Sequence, residues 1–273
     1  EILEKAISNY DDNYLPINYK GTLKHSAYVE DNLNTLLLSE LIFIKKRKDV
    51  RLYKDKGKQY VKIKQENNQF VGYVYLAKVL QLIYIKEQLI RYLGKIDSRD
   101  TSLYISVSPN YYGTNQVYEI DFVKETENTE NKTKLIIDKA SFALIEFKRD
   151  VIQDEDENSK QTIMVDSISM EFPTIIPIFT GIIRFKPYEK KWMFSDLKIT
   201  GLLNVIENKI ITKKVTHELL FTANQLNIIK PKRLLRLNLK GNIFKQIENR
   251  TSPNNFKGIS LSKKELKFIT TEH

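Results

Sequence analysis

Between Ser102 and Asp150 apolar and polar residues alternate with a period of two, and nothing else in the sequence constrains the fold as strongly. Leu103, Ile105 and Val107 share one side of the first run; Tyr118, Ile120 and Phe122 share one side of the next. Successive strand side chains point to opposite faces, so this spacing predicts half-buried strands, whereas a helix would place apolar residues three and four apart. Residues 109–113, PNYYG, read as a turn and Glu125 to Lys132 as a polar hairpin tip. The runs TKLIID and FALIEFKRD continue the sheet. Asp150 to Gln161 reads as an acidic loop, followed by a strand TIMVDSISMEF. From Gly181 to Ala223 about three more strands follow, with breaks near Tyr188-Glu189 and Asn208. Strands at regular spacing with short polar turns describe an antiparallel meander rather than alternating βα units.

Helices are few. Ile2, Leu3, Ala6 and Ile7 fall at helical spacing and predict a short amphipathic helix, closed by turn residues at 9–13 and by Pro16. From Tyr19 to Ile44 two strands are expected, YKGTLKHSAYVE and TLLLSELIFIKK, joined by a turn at Asp31, Asn32 and Asn34. The basic stretch 45–58 reads as an exposed segment, and Val61 and Ile63 mark a strand with one wet face. Residues 73–93 form the next helical pattern, with Leu76, Val79, Leu80, Ile83, Glu87 and Ile90 on one face. From Asn224 onward, asparagines with Pro231 and Gly241 predict irregular structure packed on the sheet. Ser262, three residues before Glu265, gives the signature of a capping box for a terminal helix. The expectation is an α+β, mostly β chain: one domain over 1–273, with a helix and curved antiparallel meander over 1–222 and a C-terminal segment over 223–273.

The chain of 273 residues has no cysteine, which excludes disulfides, zinc-thiolate sites and cysteine nucleophiles. It starts at Glu1 without an apolar leader, which reads as a processed or truncated chain. The apolar run Tyr73 to Ile85 is interrupted by Lys78 and Gln81, short of the roughly 20 residues that a spanning helix needs.

Chemistry is sparse. The histidines are His25, His217 and the terminal His273. His217 alternates with Val215 and Leu219, so it reads as a structural strand residue before it reads as a base or ligand. No HExxH, GxSxG, SxxK or glycine-rich phosphate loop occurs, and Asp154 to Glu157 form a solvated acidic run. No cofactor and no metal is expected. The formal charge of +10 is spread along the chain and reads mainly as biased composition. The stretch 230–245 holds Lys230, Lys232, Arg233, Arg236 and Lys240, a candidate anionic-surface or nucleic-acid contact. The residues between them are mostly aliphatic, which suits a solvated face over a buried strip better than a base-stacking platform.

The segments YYGTNQVYEIDFVKE (111–125) and KLIIDKASFALIEFKRD (134–150) together resemble a pattern of envelope proteins of bacteroidete-type Gram-negatives that carry a carboxypeptidase-regulatory-like domain. The same pattern is similar to the half-barrel lipoprotein-carrier fold, in which a curved antiparallel sheet wraps a helix. ILEKAISNYDDNYLPINYKGTLKHSAYVEDN, ELLFTANQLNIIKPKRL and NNFKGISLSKKELKFI extend the likeness. The resemblance implies an exported, periplasmic or outer-membrane-associated module without catalysis, whose concave face takes a lipid-like ligand, a peptide or an envelope partner. Two other readings stay open: an anionic-surface binder through residues 230–245, and a hydrolase assembled around His217 or His25.

Overall fold

The computed structural model describes residues 1–15, 18–46, 49–64, 85–97, 103–153, 161–165, 168–172, 174–207, 210–226, 235–237, 246–247, 251–256 and 258–271. The chain is mostly β and its strand pairs are antiparallel, with a few helices. It packs as two compact units. Unit 1 comprises Glu1–Pro16, Gln81–Glu155 and Pro177–Leu197, and unit 2 comprises Ile17–Leu80, Asp156–Ile176 and Lys198–His273.

In unit 1 the strands are β4 (Leu103–Tyr112), β5 (Asn115–Thr126), β6 (Thr129–Asp138), β7 (Leu144–Gln153), β10 (Thr174–Tyr188) from Pro177 onward, and the start of β11 (Lys191–Glu207). Their hydrogen-bonded order is β11-β10-β7-β6-β5-β4. In unit 2 the strands β1 (Asn18–Val29), β2 (Asn32–Lys46), β3 (Asp49–Ile63), β12 (Ile210–Leu226) and the short β13 (Leu235–Arg236) join the rest of β11, in the order β13-β3-β2-β1-β12-β11. A separate hairpin pairs β8 (Gln161–Val165) with β9 (Ile168–Phe172). The helices are α1 (Ile2–Ser8), α2 (Tyr10–Asn13), α3 (Ile85–Asp97) and α4 (Lys263–Thr270).

Several local expectations shift for physical reasons. Pro109 does not end β4; the strand runs on to Tyr112 and turns at Gly113-Thr114, where Gly113 takes φ 62°. A glycine at the first position of a two-residue loop suits a type II′ hairpin. The β1–β2 turn is Glu30-Asp31, both at positive φ, one position earlier than expected. Such a pair matches the twist of the flanking strands. The stretch 45–58 contributes to β3, paired with β2 from Lys46↔Asp49 onward, with Leu52 in the core. Of the predicted helix 73–93, residues 73–84 lie outside the described residues. Within α3 the buried face is Leu89 and Tyr92, while Ile90 is half exposed.

Unit 2 is bent by bulges at Lys20/Gly21, Ala27/Tyr28 and Ser39/Leu41, where one strand carries an extra residue and curves. Gly21 sits at the first. A Cβ there would come within 2.3 Å of both the Phe221 ring and the Thr222 carbonyl oxygen, so only glycine lets Phe221 lie over β1 with its ring centroid 4.3 Å from that of Phe43, tilted by 51°. On the opposite face of β1 and β2 lies α4. Its capping box forms as the sequence predicts: Ser262 Oγ accepts from the Glu265 N–H, and the Glu265 carboxylate accepts from the Ser262 N–H. Phe268 of α4 and Phe256 pack with Leu33, Leu36 and Leu38.

Candidate functional site

The alternation in unit 1 separates a greasy face from a charged one. Register pairs Ile105 with Phe122, Val107 with Ile120, Ile120 with Leu135 and Leu135 with Phe147, so these residues share one face across four strands. Ile120, Phe122, Leu135 and Phe147 are each 3% exposed or less. The reverse face carries a ladder of opposite charges. Lys134 bridges Glu119 and Asp121, and the Arg184 guanidinium reaches Glu146 at 2.9 Å and Asp196 at 3.2 Å. The hydrogen bond from Lys134 holds the Glu119 carboxyl below its ordinary value and raises the Lys134 ammonium in turn. Towards one end the same face is apolar as well: Ile136, in register between Glu119 and Glu146, is buried with Val117 and Ile145, and Trp192 packs on them.

Helix α3 covers the middle of the apolar face. Its sequence IKEQLIRYLGKID puts Leu89 and Tyr92 one turn apart on one stripe, and both are buried. The Tyr92 ring lies 4.7 Å from that of Phe122 and 6.2 Å from that of Phe147. Its hydroxyl shares a 2.6 Å hydrogen bond with Thr133 Oγ1, so the one polar atom on this stretch of sheet is paired.

Coverage fails at the margins. Val107, on the same face and on the outermost strand, is 52% exposed. Ile96, one turn beyond Tyr92 on the inner stripe of α3, is 38% exposed. Sheet and helix together therefore offer an aliphatic and aromatic surface that is closed at its centre and open at its edge. Among the described residues it is lined by aliphatic and aromatic side chains, with the Tyr92–Thr133 hydroxyl pair at its centre.

The two internal histidines come together in unit 2. Strand pairing sets His25 beside Leu37 on β2 and Leu219 on β12, and it sets His217 beside Ala27. The His25 Nε2 lies 3.3 Å from the His217 Nδ1, with the rings 6° from parallel. Burial pushes the His25 imidazole down to about 4 and the His217 imidazole down to about 3, the neighbouring His25 adding to the latter. Both rings are neutral at pH 7. Their contact with each other is with a base of the same kind. Among the described residues no group of three His, Asp or Glu is placed to hold a metal.

Of the candidate anionic-surface residues, Lys230, Lys232, Arg233 and Lys240 lie outside the described residues. Arg236 ends β13, pairs with Tyr53 of β3 and is exposed. Sequence reasoning missed Tyr92 as the key of the helix–sheet contact and placed Ile90 on the apolar face instead. The tyrosine's position three residues after Leu89 was the available signal. It missed the histidine pair because no pattern within β1 or β12 says that these two strands are neighbours.

Comparison with known proteins adds little. No family model and no curated protein matches the chain, and the carboxypeptidase-regulatory-like resemblance finds no support there. Among solved structures, the LolA superfamily protein NE2245 from Nitrosomonas europaea matches over 83% of this chain and 93% of that chain, at 8% identity and a TM-score of 0.22.

Proposed function

We propose that this chain is a non-catalytic binding module of the cell envelope, exported to the periplasm or to the outer membrane's inner side, and that it holds a lipid-like hydrocarbon chain. One observation carries the reading: the apolar face of β4–β7 is only partly roofed by α3, with Val107 and Ile96 left in contact with solvent. Contiguous exposed apolar patches mark interaction sites or ligand grooves, and concave, mostly apolar surfaces with few polar groups are the usual form of a small-molecule site.

The buried, neutral imidazoles of His25 and His217 favour a structural role for the two rings. No described helix is long and apolar enough to cross a membrane. The anionic-surface reading rests on residues of which one, Arg236, is described.

Organic extraction of protein purified without detergent, followed by mass spectrometry, tests the proposal. A co-purifying acyl lipid in near-stoichiometric amount is the expected result. Protein that is lipid-free, and that takes up no acyl lipid when incubated with vesicles, contradicts it.

A further inference from the structure

We propose that β4 pairs edge to edge with β4 of a second copy, joining the two sheets around a twofold axis at Ile105. This goes beyond the lipid-binding reading and does not depend on it.

Tyr112 and Asn115 close a two-residue loop and are therefore a hydrogen-bonded pair. In an antiparallel ladder such pairs alternate with non-hydrogen-bonded ones. Counting back from Tyr112, the backbone groups of Asn110, Ser108, Ser106 and Tyr104 face β5. Those of Tyr111, Pro109, Val107, Ile105 and Leu103 face outward. Strand β4 ends the strand order of unit 1, and among the described residues no strand takes these outward groups. The position of Pro109 agrees: its nitrogen, which has no hydrogen to donate, falls on the outward side and costs the β4–β5 ladder nothing.

Natural edge strands are protected by charge, by bulges or by brevity. The ten residues LYISVSPNYY contain no charged side chain and no register shift against β5. Pro109 is the single guard, and it protects one end only. Leu103 to Val107 remain an uninterrupted template.

A second copy fits this template better than another partner. In a chain of net charge +10 most surfaces repel their own copies. An uncharged edge can meet itself without setting like charges opposite one another, and it offers no complement to an acidic or basic peptide. Antiparallel pairing of a strand with itself closes a twofold dimer. Centring it on Ile105 sets Leu103 opposite the copy's Val107 and keeps Pro109 beyond the ladder. The three paired positions exchange about six backbone hydrogen bonds. The same pairing places the exposed Val107 against an aliphatic neighbour on the greasy face. The area is small, so association at the weak end of the range for specific complexes is expected.

The test is sedimentation velocity on lipid-free protein over a concentration series, with amide hydrogen exchange read residue by residue. The proposal expects a monomer–dimer equilibrium. It also expects protection at Leu103, Ile105 and Val107 that rises with concentration, while Tyr104 and Ser106 stay protected throughout. Ile105→Pro removes an outward donor without touching a β5 bond, and it should abolish the dimer while leaving Tyr104 and Ser106 protected. A monomer at every concentration overturns the proposal. So does a dimer that Ile105→Pro leaves intact, or one whose outward β4 amides stay unprotected. Lipid uptake by a monomer leaves the functional reading standing, and a lipid-free dimer leaves this one.

Discussion

The Ser26 hydroxyl donates a 2.5 Å hydrogen bond to the Glu265 carboxylate, tying the first strand of unit 2 to the terminal helix across 239 residues of sequence. The same carboxylate caps its own helix through the Ser262 N–H and receives the Lys24 ammonium at 3.1 Å. Burial acts to raise the Glu265 carboxyl. The hydrogen bonds from Ser26 and Ser262 and the Lys24 charge outweigh it and hold the group below its ordinary value. Glu265→Ala therefore removes a cap, a buried acceptor and the partner of Lys24 together. We expect a loss of about 2–4 kcal/mol, measured by urea denaturation, since removing one member of a buried pair strands the other. Ser26→Ala should cost about 1–2 kcal/mol by the same measurement.

The histidine pair makes the fold acid-sensitive. Both folded-state values lie below the ordinary 6.5, at about 4 and about 3, so the unfolded chain binds protons first as pH falls. The stability they contribute is complete above pH 6.5 and is lost progressively down to about pH 4 and below. For His25 alone the shift corresponds to about 3 kcal/mol at about 1.4 kcal/mol per unit. Glu265 acts in the same direction at lower pH. Denaturation midpoints between pH 7 and pH 4 should fall steeply in the native chain, and His25→Leu with His217→Leu should flatten the slope.

Gly21 tests the bulge. Because its Cβ position is occupied by Phe221 and the Thr222 carbonyl, Gly21→Ala should destabilise the chain by about 1–3 kcal/mol through overpacking. A thermal melt measures it. Relief of the defect by the additional change Phe221→Leu would locate the strain at that ring.

In α3, Tyr92→Phe keeps the ring on Phe122 and leaves Thr133 Oγ1 without its 2.6 Å partner. A cost of about 1 kcal/mol is expected, against about 3–5 kcal/mol for Tyr92→Ala. Urea denaturation of the two variants distinguishes the hydrogen bond from the packing.

The strands were legible because their signal is local. Ile105, Val107, Ile120 and Phe122 declare a face by spacing alone, and Ser262 with Glu265 declares a helix start. What spacing cannot carry is which strand lies beside which. The meeting of His25 with His217 depends on β1 pairing with β12, 192 residues apart in sequence. Pro109 misled for a related reason. It breaks a strand when its nitrogen faces a neighbour and is harmless at an edge, and edge position is a property of the whole sheet. The turn at Glu30-Asp31 misled because glutamate seldom takes positive φ; the hairpin's twist, not residue preference, sets it there.

We propose that the face shared by Val107, Phe122 and Phe147 binds hydrocarbon where α3 leaves it open. The most direct measurement is titration of lipid-free protein with a fluorescent fatty acid, comparing the native chain with Val107→Asp and Ile96→Asp. Both sites are solvent-exposed, so the fold should survive both changes. Saturable uptake by the native chain is expected, with uptake by each variant at least about tenfold weaker, the loss expected when a charge faces an acyl chain. Equal uptake by all three proteins, or none by the native chain, would contradict it.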